Sequence, residues 1–237
     1  PLPTKPVIHI LRIDPTAFAA RVLVPKDRVE PRNAGSAQAV SSWLLSDYAR
    51  ETKSTIVASG GYVTSYVTLQ ELGLVRSGGR NFNQRHESWL LNAIYCEGKE
   101  FEIDYSQAYS SRQAYPGCLQ AGPMLVYAGK QLLQDSRELK LHSEPEPPPK
   151  QFEARQKYID AEQPHLFLCA HKEGLAIGYA EKISLKMLAQ VLASGASSVG
   201  LDCERAMRLP NGGLLVDGKI IGEDVVYRPN AIVVMPK

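Results

Sequence analysis

Leu119-Gln120-Ala121-Gly122-Pro123-Met124-Leu125-Val126 reads as a sharp turn feeding a buried strand. Glycine reaches torsions closed to other residues, while proline fixes its own φ and removes a main-chain donor. Pro123 also steers Gly122 away from helical torsions. Met124, Leu125 and Val126 run apolar without alternation, as in a strand covered on both faces. Gln120 is a neutral donor and acceptor standing just before the turn. Two readings stand here: an amide that helps form a pocket at the lip of the strand, or the surface glutamine of an ordinary β-turn.

The 237 residues around this stretch suit one large domain or two small ones. The 44% hydrophobic and 22% charged content is that of an ordinary globular chain. Lys plus Arg (27) nearly balances Asp plus Glu (25), and no basic run interleaves with aromatics, so no nucleic-acid partner is expected. No apolar stretch approaches the ~20 residues of a membrane helix. The chain opens Pro1-Leu2-Pro3-Thr4 without Met, which is compatible with a removed leader. Cys96, Cys118, Cys169 and Cys203 form no C-x-x-C pair, so zinc-ribbon and thioredoxin-like readings are weak, and neither metal nor cofactor is expected. Cys169, inside Leu166-Phe167-Leu168-Cys169-Ala170, reads as a buried thiol. Cys96 and Cys118 can pair in an oxidising compartment, but the choice among pairings stays open.

The remaining chain alternates strand and turn signals. Val7 to Leu11 and Arg21 to Val24, separated by Asp14-Pro15, suggest an opening hairpin. Ser36 to Thr52 has helical spacing, with Val40, Trp43, Leu44 and Tyr48 on one face. Ser54-Thr55-Ile56-Val57-Ala58 is a β-branched strand running into Ser59-Gly60-Gly61-Tyr62-Val63. Its two glycines make either a tight turn or an anion-binding concavity of main-chain amides. Trp89 to Tyr95 and Phe101 to Tyr105 are strand candidates, and Ser143 to Lys150 is a stiff, exposed Pro-rich loop. His165 to Ala170 pairs with Leu175 to Tyr179 across a short turn. Ser184 caps a helix with Leu185, Leu188, Val191 and Leu192 on its apolar face, ending at Gly195. Val199 to Leu201 is a short strand delivering Asp202 to its carboxyl end, as a functional group or as a cap. Asn211-Gly212-Gly213 is a hairpin turn, and Asn230 to Met235 is a terminal strand.

Taken in order, Ile56 to Tyr62, Leu119 to Val126, His165 to Ala170, Ser184 to Ser194, Val199 to Asp202 and Pro229 to Val234 resemble the phosphodiester glycosidases. That family is related to the eukaryotic uncovering enzyme. The resemblance spans nearly the whole chain. It implies a single α+β domain over 1–237, with a mixed, largely antiparallel sheet core and flanking helices. It also implies cleavage of a sugar–phosphate diester at the glycosidic bond, and export to the periplasm or outside of a bacterial cell, toward exopolysaccharide or envelope glycans. The chain departs from the family's usual motifs at three places. Ser59 stands where the family has Asn before Gly-Gly, and His165 stands where it has Arg. Asp202-Cys203-Glu204-Arg205-Ala206 stands against Asp-Gly-Gly-Gly-Ser.

The resemblance nominates Asp202 as the carboxylate beside an oxocarbenium-like centre, with Glu204 as a second acid. Gly60 and Gly61 would hold the phosphate, Gln120 would hydrogen-bond sugar hydroxyls, and Ser59 would partly replace the family's amide. Tyr62, Gly122, His165 and Arg205 complete the expected binding set, with Arg205 or Arg80 compensating for the missing Arg. Losses at three motifs support an alternative to the hydrolase: an inactive relative that binds a glycan or an envelope-assembly partner, with Tyr62, Tyr66 and Tyr109 as aromatic candidates. Taken together the readings expect a glycan or sugar-phosphate ligand. A third reading makes Cys203 a nucleophile with His165 or His171.

Overall fold

The computed structural model describes residues 6–26, 41–65, 69–98, 102–112, 115–133, 149–194, 201–223 and 227–237. Every strand pairing among them is antiparallel. The class is broadly α+β, but the strands form three larger sheets rather than one.

The first sheet has six strands in the order Ile8–Ile13, Gly174–Ile183, Gln163–His171, Arg205–Leu209, Met124–Tyr127 and Lys130–Gln131. Its centre is the expected hairpin across Lys172-Glu173, in which Phe167 faces Gly178 and Leu168 faces Ile177. The second sheet has five strands, Arg80–Asn83, Val75–Ser77, Cys118–Ala121, Ala93–Cys96 and Glu102–Tyr105. The third orders Lys219–Gly222, Gly213–Val216, Ile56–Ser59, Ala231–Pro236 and Phe18–Leu23. One buried apolar cluster draws on all three, including Leu168, Met207, Leu119, Tyr95, Ala58 and Ile232. The opening stretch behaves as its composition dictates. Gly122 takes φ +140, its peptide to Pro123 is cis, and Met124, Leu125 and Val126 are wholly buried.

Several expectations need correction. The opening hairpin does not form: Ile8–Ile13 pairs with Gly174–Ile183, while Phe18–Leu23 pairs with Ala231–Pro236 in another sheet. The first helix is only Leu45–Thr52; Trp43 precedes it as a bridge to Arg228, and 36–40 lie outside the described residues. Trp89–Leu91 is a 3-10 turn, so its strand begins at Ala93. Pro149 and Lys150 belong to a helix, Pro149–Asp160. Proline is tolerated at a first helical position, whose N–H has no intrahelical partner anyway; 143–148 lie outside the described residues. Asn211-Gly212 is not a hairpin turn, because it carries the chain from the first sheet, at Leu209, to the third, at Gly213. The helix Leu185–Ala193 has the expected cap, Ser184 Oγ accepting from the Met187 N–H at 3.2 Å; Gly195 lies outside the described residues.

Cys169 is not a free thiol. It is bonded to Cys203, and Cys96 is bonded to Cys118. The second bond takes the Cys203 sulfur out of any nucleophilic role. Two disulfides fit an exported protein, and among the described residues no helix is long and apolar enough to cross a membrane.

The Phe18–Leu23 strand ends the third sheet, and two side chains reach its outer edge: Tyr95 from the second sheet and Glu97 just past the strand Ala93–Cys96. Tyr95 Oη donates to the Ala20 carbonyl at 2.7 Å, and the Val22 N–H donates to Glu97 Oε1 at 2.6 Å. Burial raises the Glu97 pKa, with the Val22 hydrogen bond and Arg21 opposing.

Candidate functional site

The seam where Arg205–Leu209 hands over to Gly213–Val216 through Pro210-Asn211-Gly212 holds a cleft of about 150 Å³. Its walls come from both sheets and from the helix Pro149–Asp160. Gly61, Tyr62 and Val63 follow the strand Ile56–Ser59; Tyr158 comes from the helix; Gln163, Arg208, Pro210, Asn211 and Arg228 close it.

Arg208 is the centre of this arrangement. It is only 2% exposed, yet its charge is distributed over fixed partners. Nε donates to His165 Nδ1 at 3.1 Å, Nη1 to the Tyr62 hydroxyl and Nη2 to Asn211 Oδ1. Its guanidinium carbon lies 5.8 Å from the Tyr62 ring centroid and 5.5 Å from that of Tyr158, within cation–π range. The Tyr62 hydroxyl donates in turn to the Gly122 carbonyl at 2.8 Å. Arg228, 3% exposed, donates from Nη2 to the Asn211 carbonyl at 2.8 Å, with Glu223 Oε2 at 3.7 Å. Asn211 thus meets two buried guanidiniums, one at its side chain and one at its main chain. Among the described residues lining the cleft, none is acidic.

The electrostatics follow from burial. His165 is fully buried, and its pKa is driven down to about 3, first by desolvation and then by the adjacent Arg208 cation, with the Ile183 main chain opposing. It is therefore a neutral acceptor for Arg208 at ordinary pH. Burial pushes the Tyr62 phenol well up; Arg208 opposes and the nearby Tyr158 hydroxyl adds to the rise. Tyr62 stays a neutral donor.

Behind the cleft the main chain is pinned. The Gly61 N–H donates to Asn230 Oδ1 at 2.6 Å, and Asn230 Nδ2 donates to Glu71 Oε1 at 3.3 Å. A Cβ at Gly60 would fall 1.9 Å from Asn230 Oδ1, so only glycine permits this approach. Ser59 Oγ accepts from the Gly213 N–H at 3.0 Å, tying the two strands of the third sheet at their cleft ends.

The structure thus brings together Gly60, Gly61, Tyr62, Gly122 and His165. Ser59 lies beneath them, 1% exposed. Gln120 stands apart: it is wholly buried, and its amide is saturated by main-chain groups. Oε1 accepts from the Leu74 and His86 N–H groups, both at 2.9 Å, and Nε2 donates to the His86 and Leu91 carbonyls, both at 2.6 Å. It clamps three segments and has no valence left for a sugar. Asp202, Glu204 and Arg205 lie toward the other end of Arg205–Leu209. Arg205 and Arg208 are three strand residues, ~10 Å, apart and point to opposite faces. Asp202 and Glu204 are exposed, beside the Cys169–Cys203 bond. Arg205 instead pairs with Asp104 at 3.2 Å and stacks on Tyr127. Arg80 lies over Phe82, and Tyr109 donates to Asn81 at 3.1 Å; Tyr66 lies outside the described residues. The sequence reading missed Arg208, Arg228, Asn211, Gln163 and Tyr158. Its one usable signal was Arg208 itself, a charge inside the apolar run Ala206-Met207-Arg208-Leu209.

A larger groove of about 870 Å³ runs beside the Phe18–Leu23 strand, past Glu97 and Tyr115. The Ala20 and Val22 edge groups it exposes already have the Tyr95 and Glu97 partners, and among the described residues lining it no cation is buried. The smaller cleft therefore has the stronger claim.

No known protein family matches the chain, and no curated protein matches it by sequence. Solved structures do match in fold. The zebrafish N-acetylglucosamine-1-phosphodiester alpha-N-acetylglucosaminidase catalytic domain, auto-inhibited by its pro-peptide, superposes with TM-score 0.66 at 14% identity, over 98% of this chain and 83% of that one. A hypothetical protein from Synechocystis gives TM-score 0.60 at 13% identity, over 97% of this chain and 59% of that longer one. The chain shares the fold of the uncovering-enzyme catalytic domain.

Proposed function

We propose that the chain binds a sugar-phosphate ligand through its phosphate, in the cleft between Tyr62, Arg208 and Arg228, and that it is a non-hydrolysing relative of the phosphodiester glycosidases. The observation that carries this is the convergence of two buried guanidiniums on Asn211, at a cleft with no carboxylate in its described lining. Arginine presents a planar fork matched to phosphate oxygens, and a buried cation gains most from an anionic partner.

The shared fold makes a sugar phosphate the natural ligand class. Glycosidic cleavage needs a carboxylate near the anomeric carbon, and Asp202 and Glu204 precede the strand Arg205–Leu209 at the end away from the cleft. Pro210 and Asn211, which join that strand to the third sheet, line the cleft and bring no acid to it. Arg208, from the neighbouring strand, restores beside His165 the guanidinium that His165 lacks. An exported protein of this kind would meet its ligand on envelope or exopolysaccharide glycans.

The test is calorimetric titration of the chain with N-acetylglucosamine 1-phosphate and with its methyl diester, alongside an assay for free sugar. Binding that is lost in Arg208→Gln, with no sugar released from the diester, is the expected result. Sugar release by wild type that disappears in Asp202→Asn would overturn the proposal and restore the hydrolase.

A further inference from the structure

The cleft's size and its donors narrow the ligand class, on the footing that a phosphate binds there. About 150 Å³ is well below the ~300–1,000 Å³ of pockets that engulf a drug-sized ligand. A phosphate head fits such a space, whereas a phosphate bearing two organic arms needs room for both.

The donors point the same way. Arg208 commits three of its five N–H groups to His165, Tyr62 and Asn211, leaving two by count. Gln163 lines the same cleft, and its Nε2 is buried and without a hydrogen-bond partner among the described residues. Its two N–H groups raise the supply to four by count, for one small ligand. A phosphomonoester offers three terminal acceptor oxygens and nearly two charges at neutral pH. An internal diester offers two such oxygens and one charge. We infer that the cleft selects a terminal phosphate, such as a sugar 1-phosphate, over an internal phosphodiester.

The protein's own charges hold steady where the ligand's changes. Arg208 and Arg228 are permanent cations. Tyr62 stays neutral on the alkaline side, and His165, behind Arg208, stays neutral on the acid side. The flanking carboxylates are Glu223 on Arg228 and Glu71 on Asn230. The second ionisation of a phosphomonoester, at about pH 6, is therefore the main titration between pH 5 and 7.5.

Calorimetric titration of the whole chain with methyl phosphate and with dimethyl phosphate, at pH 7.5 and pH 5.0, tests this. Methyl phosphate is expected to bind about tenfold or more tighter than dimethyl phosphate at pH 7.5. It should weaken about tenfold at pH 5.0, where roughly a tenth of it remains dianionic, while dimethyl phosphate holds constant. Equal affinities, or methyl phosphate binding that ignores pH, would overturn the selectivity and leave phosphate binding intact. Failure of both, and of inorganic phosphate, would remove the phosphate reading and the selectivity together. Gln163→Glu, at a half-buried position, brings a carboxylate to the cleft. It should weaken methyl phosphate about tenfold while the melting temperature stays within about 2 °C; unchanged binding would place the anion elsewhere.

Discussion

Replacing Gln120 by leucine removes four hydrogen bonds while keeping most of the side-chain volume. Two of the groups it abandons, the Leu74 N–H and the Leu91 carbonyl, belong to wholly or almost wholly buried residues; the other two belong to exposed His86, which water can reach. An orphaned buried polar group costs about 1–3 kcal/mol, so the buried pair costs about 2–6 kcal/mol. The extra apolar surface of leucine returns about 1–2 kcal/mol. The net loss spans about 0–5 kcal/mol and centres near ~2.5 kcal/mol, and at ~2–4 °C per kcal/mol for a chain of this size that central value lowers the melting point by about 5–10 °C. Gln120→Glu should fare no better. Its carboxylate keeps acceptors for the two N–H groups, but it loses both donors and buries a charge. Thermal melts of the three proteins, with methyl phosphate titrations well below the transition, check this. Affinity within about threefold of wild type is expected for Gln120→Leu. A melting shift under about 2 °C, together with lost binding, would refute the reasoning and make Gln120 a ligand contact.

Acid should weaken the fold through His165. Its folded pKa of about 3 lies below the ordinary value of about 6.5, so the unfolded chain binds the extra proton, and stability falls with pH between those values at about 1.4 kcal/mol per unit. Denaturant midpoints at pH 6.5 and 5 should differ in wild type and differ less in His165→Gln; parallel slopes would exclude His165 as the source. Removing the Cys169–Cys203 bond, which spans 34 residues, should cost about 3–4 kcal/mol by loop-closure entropy, read as a lower urea midpoint in Cys169→Ala/Cys203→Ala. Gly60→Ala drives a methyl onto Asn230, whose Oδ1 would lie 1.9 Å away. It should cost about 1–3 kcal/mol and weaken methyl phosphate binding; a wild-type melting curve would show that Asn230 is free to move.

Sequence pattern and structure agree best where one local rule acts alone. The hairpin around Lys172-Glu173, the Ser184 cap, the strand after Pro123 and the terminal strand each follow from nearby residues. The sheet partners do not. Ile8–Ile13 and Phe18–Leu23 are close in sequence and strand-like, yet each finds longer-range partners that bury it better. The helix at Pro149 was hidden because proline's usual meaning inverts at a helix start. The cleft was half legible. Gly60, Gly61, Tyr62 and His165 stood out from their neighbours. Arg208 sits mid-run in a strand, where a charge reads as an interruption until its partners on two other segments are known. Asp202 drew attention as an acid after an apolar run, but with φ +44 it turns the chain before the strand begins. Gln120 was noticed for the right polarity; its partners at Leu74, His86 and Leu91 are 29 to 46 residues away, beyond any local pattern.

The outer edge of the Phe18–Leu23 strand has a consequence for how the protein behaves in a crowd. A bare edge offers alternating N–H and carbonyl groups to any extended segment, and so invites copies of a chain to join sheet to sheet. Here the Ala20 carbonyl is taken by Tyr95 and the Val22 N–H by Glu97. A visiting strand would have to displace a buried phenol and a half-buried carboxylate before forming its first two rungs. The two side chains that dock the second sheet on the third therefore also keep neighbouring molecules from extending that sheet into an aggregate.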